Sequence, residues 1–304
     1  MTYEVIAQGL QFPEGPVVLP DGTLYVGEMR TGTVTRIAAD STMRVVASCG
    51  GGVNGLALGP DNALYACNNG GSNWGPKRDS PIPVPGLAPD YIGGRIQRID
   101  LRTFEVTDLY TSCDGIALSA PNDLVFDCEG GFYFTDHGKV RGRLRDIGSV
   151  YYARIDGGNI SEVIHPIGAP NGIALSPDQR TLYVAETETS RLYAYPVQAP
   201  GKLDMLPYPS PNGGRLVCGL PGYQRFDSMA VQANGDICIA TLVSGCVTVI
   251  SPEGDVRRVV DFGDPYTTNL CFGGPGLKTA YVTLSARGQL VRMDWPEPGL
   301  PLNF

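Results

Sequence analysis

The chain has 304 residues, 42% of them hydrophobic, and a formal net charge of −8. That apolar content excludes a disordered chain, and the acidic balance, with no Lys/Arg-rich run, excludes the basic face that a nucleic-acid partner requires. No apolar stretch approaches the roughly 20 residues that cross a bilayer as a helix, so neither nucleic acid nor membrane is an expected partner.

The N-terminal "MTYEVIAQGLQFPEG" has no charged region followed by an apolar one, so no signal peptide is expected. Its "YEVIAQG" reads as a lone strand. A unit then begins that recurs along the whole chain. "PEGPVVLPDGTLYVGE" (13–28) is followed by "VNGLALGPDNALYACN" (53–68), "PNDLVFDCEGGFYFTD" (121–136) and "PNGIALSPDQRTLYVAE" (170–186). "FDSMAVQANGDICIAT" (226–241) and "TNLCFGGPGLKTAYVT" (268–283) complete the series. Each copy holds a polar residue, an apolar run, a turn rich in Gly, Asn or Asp, and a second apolar run, which is a β-hairpin. A third strand follows each copy: 32–39, 94–101, 149–156, 190–197, 245–252 and 288–295. A fourth run, such as "MRVVASC" or "VRRVVDF", comes after most of them.

Four antiparallel strands per repeat make a propeller blade. The fold expected is all-β, a six-bladed β-propeller that uses residues 1–304 as a single domain. After "GQLVRMDW" the chain has no fourth strand left for blade six. The N-terminal strand is therefore expected to close the ring there. Eight scattered cysteines include no C-x-x-C pair, which fits buried free thiols and a cytoplasmic location.

The polar residue that opens each copy is Glu14, Asn54, Asn122, Asn171, Asp227 or Asn269. In a propeller the first strand of each blade runs along the central axis, so these six positions face one point at one mouth of the channel. All offer an oxygen, two are carboxylates, and none is His or Cys. Such a set suits one hard divalent cation, Ca²⁺ first, with Mg²⁺, Mn²⁺ or Zn²⁺ as other occupants. Asn54 and Asn269 can instead hydrogen-bond neighbouring loops.

At "FPEGPVV", "PNDLVFD", "PNGIALSPD", "DSMAV" and "TNLCFGG" the sequence resembles the senescence marker protein (regucalcin)/gluconolactonase/luciferin-regenerating enzyme family. The resemblance implies a six-bladed propeller, one divalent cation in the channel, and hydrolysis of a lactone, a small-molecule substrate. It implies Glu14, Asn171 and Asp227 as metal ligands, Asn122 as a residue on metal or substrate, and Asp227 as acid/base as well. Regucalcin-like members carry an arginine two residues before the third-blade asparagine; here that residue is Ala120. A phosphotriesterase of the diisopropyl fluorophosphatase kind fits the same ring. A non-enzymatic propeller that binds calcium or a protein partner is a further alternative, and a metal-free strictosidine synthase-like propeller fits the ring less well.

No G-x-S-x-G motif occurs, so water is the expected nucleophile. His137 follows the second strand of blade three, beneath the cation or in a loop near the mouth, as a catalytic or a hydrogen-bonded structural histidine. His165 is expected in a loop, and Asp123 either behind the ligands, accepting a hydrogen bond from one of them, or as a strand-start cap. Residues 68–94, with six glycines and five prolines, interrupt blade two on the mouth side. A loop of this length is expected to cover the mouth, with Trp74 and Tyr91 offering substrate contacts.

Overall fold

The computed structural model describes residues 2–74 and 82–304. Besides two small two-stranded sheets, Ser112–Cys113 with Ile116–Ala117 and Val140–Arg141 with Leu144–Arg145, its strands form six larger antiparallel sheets whose innermost strands are Pro13–Val18, Val53–Leu58, Pro121–Phe126, Pro170–Leu175, Arg225–Val231 and Thr267–Gly273. Each innermost strand packs against that of the next blade, and the sixth packs against the first, giving the expected six-bladed β-propeller. Within a blade the strands follow chain order outward, as in Pro13–Val18, Leu24–Glu28, Thr33–Ile37 and Met43–Ser48 of blade one.

Blade six closes as the repeats require. Glu4–Gln8 pairs antiparallel with Gln289–Asp294, its Ile6 and Ala7 buried, and Arg292 Nε donates to Glu4 Oε2 at 2.9 Å. The core is a set of seams between neighbouring blades rather than one central mass. Tyr65, Phe126 and Phe132 fill the seam of blades two and three, and Val247, Leu270 and Val282 that of blades five and six. Because each sheet has a neighbour on both faces, its middle strands bury both sets of alternate side chains. "ALYACN", for example, is buried at every residue.

The ends of the channel are built differently. At the far end, residues 295–304 run from blade six across blades five, four and three. Leu300 N donates to Val231 O at 2.8 Å, and Gln179 Nε2 to Asn303 Oδ1 at 2.8 Å. Asn303 Nδ2 reaches Phe126 O at 2.7 Å, and the Phe304 ring packs edge-on against Phe126. At the other end the inner strands begin. There the glycine after the polar residue has a steric reason: a Cβ on Gly55 would stand 2.7 Å from Asn122 O, and one on Gly172 2.6 Å from Asp227 O. Blades this close at the axis leave no room for a side chain turned sideways.

All eight cysteines are free. Five are buried, but Cys128 is exposed, because its turn lies at the far end of a hairpin. Among the described residues no helix is long and apolar enough to cross a membrane.

Candidate functional site

The six polar residues all lie buried where the innermost strands begin. In every blade the pairing of the innermost strand with its neighbour is interrupted there: between Glu14 and Val17, Val53 and Leu56, Pro121 and Leu124, Pro170 and Ile173, Phe226 and Met229, and Thr267 and Asn269. Such irregularities re-aim side chains out of the alternating pattern. They let a polar side chain and its sequence neighbour both avoid the apolar seams.

A second layer of residues fixes these strand starts. The last residue of the second strand accepts hydrogen bonds from the loop leading to an innermost strand. Glu28 Oε2 takes Gln11 N at 2.6 Å, Asn68 Oδ1 takes Gly52 N at 3.0 Å, and Glu186 Oε1 takes Gly168 N at 3.0 Å. Asp136 takes both Ser119 N at 2.7 Å and Ala120 N at 2.6 Å. These four residues close the first four repeats in the sequence, so their recurrence was a signal; their role as loop anchors was not evident from it.

The electrostatics of the ring are those of crowded acids. Burial pushes Glu14 up to about 8, opposed by Thr268 and Asn269, whose Nδ2 lies 3.3 Å from Glu14 Oε2. Asp227 is raised well above the carboxylate range by burial and then by the charge of Glu14. Asp123, behind Asn122, is raised by burial to about 7. Three acids in one low-dielectric channel disfavour one another's ionisation unless positive charge joins them.

The asparagines show an unmet need of the same kind. Asn171 Nδ2 donates to Thr187 Oγ1 at 3.0 Å, while its Oδ1 is buried without a partner. Asn122 Oδ1 is likewise buried without a partner. A buried carbonyl oxygen left this way is costly, so it marks a place for a donor or a cation. Among the described residues no three His, Cys, Asp or Glu side chains cluster in metal-binding fashion. Any cation at this ring would therefore need asparagine oxygens beside Glu14 and Asp227, a donor set that suits a hard ion.

Residues 12–286 match the family profile described as the SMP-30/Gluconolactonase/LRE-like region. The chain belongs to this family. Lactonase drp35 of Staphylococcus epidermidis is 34% identical over 134 residues, covering 44% of this chain and 39% of that protein. The chain thus aligns with less than half the length of that curated relative. Among solved structures, a gluconolactonase from Xanthomonas campestris is similar at TM-score 0.74 and 21% identity, covering 96% of this chain and 89% of that one. A calcium-binding protein, regucalcin, from Agrobacterium tumefaciens is similar at TM-score 0.72 and 19% identity, over 99% and 98% of the two chains.

The other expected site residues of this family member are distributed as follows. Trp74 packs edge-on against Phe12, two residues before Glu14, with ring centroids 5.4 Å apart; Arg30 lies 5.3 Å over the indole. The near side of the 68–94 insertion is therefore at the mouth, while its residues 75–81 lie outside the described residues. Tyr91 has its hydroxyl donated to Ser119 O at 2.7 Å and its ring beside Lys139 and Arg141, so it ties the insertion to blade three. His137 is partly exposed, with Nδ1 buried and unpartnered. Burial and the charge of Arg145 push its imidazole down to about 4, which keeps it neutral. His165 departs from expectation: it lies on the outermost strand Ile160–Ile167, where Ser149 Oγ is 3.0 Å from its Nδ1. The apolar residues around it supply enough alternation to extend the strand through "HPI".

Proposed function

We propose that the protein is a divalent-cation-dependent lactonase, which opens a small cyclic ester by attack of water. The observation that carries this reading is the pairing of two mutually repelling buried carboxylates, Glu14 and Asp227, with the unpartnered oxygens of Asn122 and Asn171 at one end of the channel. Membership of a family that includes gluconolactonases and a resemblance to lactonase drp35 support the choice of a lactone.

Glu14, Asn171, Asp227 and Asn122 would hold the cation, calcium by the hardness of the donors. When bound, it supplies Lewis-acid polarisation of the lactone carbonyl and offsets the charge that develops on that oxygen. Asp227 acts as the base: it takes a proton from water as the water oxygen bonds to the carbonyl carbon. It returns that proton to the ring oxygen as the ring C–O bond breaks, giving a hydroxy acid. Glu14 stays ionised to position the site. Asn269 holds Glu14 in place, and Asp136 anchors the loop that presents Asn122.

The test is hydrolysis by chelator-stripped protein, assayed with Ca²⁺, Mg²⁺, Mn²⁺ or Zn²⁺ restored, across aldonolactones, aliphatic lactones, aryl esters and a fluorophosphonate. Cation-dependent lactone opening is expected. Turnover of the fluorophosphonate alone would replace the lactonase reading with a phosphotriesterase, and no turnover of any ester would leave a binding propeller.

A further inference from the structure

The step directly above the polar ring, two residues before each member, reads Phe12, Gly52, Ala120, Ala169, Arg225 and Thr267. Five blades place an uncharged residue there and one places a guanidinium. Arg225 is the first residue of the innermost strand of blade five, and its Nη2 lies 2.9 Å from Glu188 Oε2 on blade four. The same carboxylate takes Arg145 Nη1 from blade three at 3.0 Å. One acid thus serves two guanidiniums, which leaves one positive charge in excess. Arg225 Nε is buried and has no acceptor. The side chain as a whole is 36% exposed and paired with Glu188, so what is left unmet is this one N–H donor. Lys139 and Arg141 stand further round the mouth, and the charges of Arg145 and Lys139 both work against protonation of His137. Arg141 is itself paired with Asp146 at 3.3 Å, so the unbalanced positive charge of this rim is the one at Arg145, Glu188 and Arg225.

We propose that Arg225 is a specificity-determining residue, and that the substrate is a lactone bearing a carboxylate on the part of the molecule remote from the reacting carbonyl. The unpaired Nε–H would receive that carboxylate in a charge-assisted hydrogen bond, beside the Nη2 that Glu188 already holds. Glu188 and the Tyr223 ring, 5.7 Å from the guanidinium, hold the fork in position. The reacting carbonyl then lies over Glu14 and Asp227, two residues below. The remote carboxylate takes no part in bond making, so its binding orients the ring and reads out chiefly in KM. The inference rests on the lactonase reading for the reaction, but the anion site stands on its own geometry.

The experiment compares two γ-lactones that differ only at C6, D-glucaro-1,4-lactone (carboxylate) and D-glucono-1,4-lactone (hydroxymethyl), with the cation-loaded protein. Wild type should favour the glucarolactone at least tenfold in kcat/KM, and the preference should shrink as salt rises; a ratio of one or below overturns the proposal without any variant. Arg225→Gln should lose at least tenfold more kcat/KM on the glucarolactone than on the gluconolactone, mainly through KM. Equal losses on both also overturn it. Calorimetric binding of D-glucarate against uncharged D-glucitol, to wild type and to Arg225→Gln, separates the two readings. If neither lactone is opened but glucarate binds in an Arg225-dependent way, the lactonase reading fails and the anion site stands. If both lactones are opened without dependence on Arg225, the reverse holds.

Discussion

The two ends of the channel are made from the same repeated strands and have opposite characters. At the far end the strap of residues 295–304 joins four blades through hydrogen bonds such as Leu300 N to Val231 O and Asn303 Nδ2 to Phe126 O. At the mouth, Asn122 Oδ1, Asn171 Oδ1, His137 Nδ1 and Arg225 Nε are buried without partners, and three acids are raised by burial. The strap has an unpartnered group of its own, Trp295 Nε1, but the mouth gathers four such atoms together with the raised acids, so the cost is concentrated where a ligand can repay it. Stability belongs to the seams and the strap; chemistry belongs to the strand starts.

The sharpest way to break this contrast is at Asp227. Asp227→Asn keeps the shape of the side chain but removes both a charged ligand and the base. Hydrolysis should fall at least about 100-fold, the lower end for general acid–base catalysis. The same variant should melt no lower than wild type when both are free of cation, because the Glu14–Asp227 repulsion is gone. A folded variant that retains most of its activity would remove Asp227 from the mechanism, and a large loss of stability would mean that Asp227 belongs with the structural end.

The next largest effect is expected from the ring closure. Removing residues 1–9 strips the outer strand from blade six and exposes the edge of Gln289–Asp294. It also takes Ile6 and Ala7 out of the seam with blade one. The melting temperature should fall by several degrees, while the mouth residues stay in place. An unchanged melting curve would show that the closing strand contributes little.

The architecture could be read from the chain because the repeats report their own period: six polar residues, six hairpin turns and six third strands. The closing strand followed from counting, since blade six had run out of sequence. The contents of the ring were legible for the same reason. What stayed hidden was the means by which it is held. The register interruptions at 14–17 or 121–124 leave no mark in an apolar/polar pattern of that length. The anchoring by Glu28, Asn68, Asp136 and Glu186 joins residues that are 16 or more positions apart. The cationic step needs three blades to be seen at once, for Arg145, Glu188 and Arg225 are unremarkable in sequence and meet only in the fold.

A smaller effect should separate the two ends by pH. In cation-free protein Glu14 is raised from 4.5 to about 8 and Asp123 from 3.8 to about 7, so the folded state holds protons that the unfolded state has released. Stability must then decline as pH rises through this range. His137 acts in the opposite sense below 6.5, because its folded value is depressed to about 4. Lys139, depressed from 10.5 to about 8, opposes the decline above that point. The clean window is therefore about pH 6.5 to 8, where the melting temperature of chelated protein should fall with rising pH. Saturating Ca²⁺ should flatten the slope. A slope of the opposite sign in chelated protein would remove the crowded acids as the source of the mouth's cost.

The smallest effect concerns how far the functional end extends beyond the ring. Trp74 is partly buried, with its ring against Phe12 and under Arg30, and Phe12 in turn meets Tyr266 at 5.7 Å between centroids. Phe12 stands at the step above Glu14, so this aromatic group walls the mouth from blade one towards Tyr266, whose hydroxyl feels the charge of Arg225. An edge-on aromatic pair is worth about 0.5–1.5 kcal/mol beyond its buried area. Trp74→Ala removes that support and part of the wall without touching a cation ligand. KM should rise about two- to fivefold, with the rank order of lactones altered, while the Ca²⁺ concentration for half-maximal activity stays the same. Tyr91→Phe is the internal control, because its hydroxyl is already bound to Ser119 O and its loss should act on stability rather than on KM. If Trp74→Ala leaves KM and ranking untouched on every lactone accepted, the functional end stops at the step of Phe12 and Arg225. The insertion would then belong, like the far-end strap, to the scaffold.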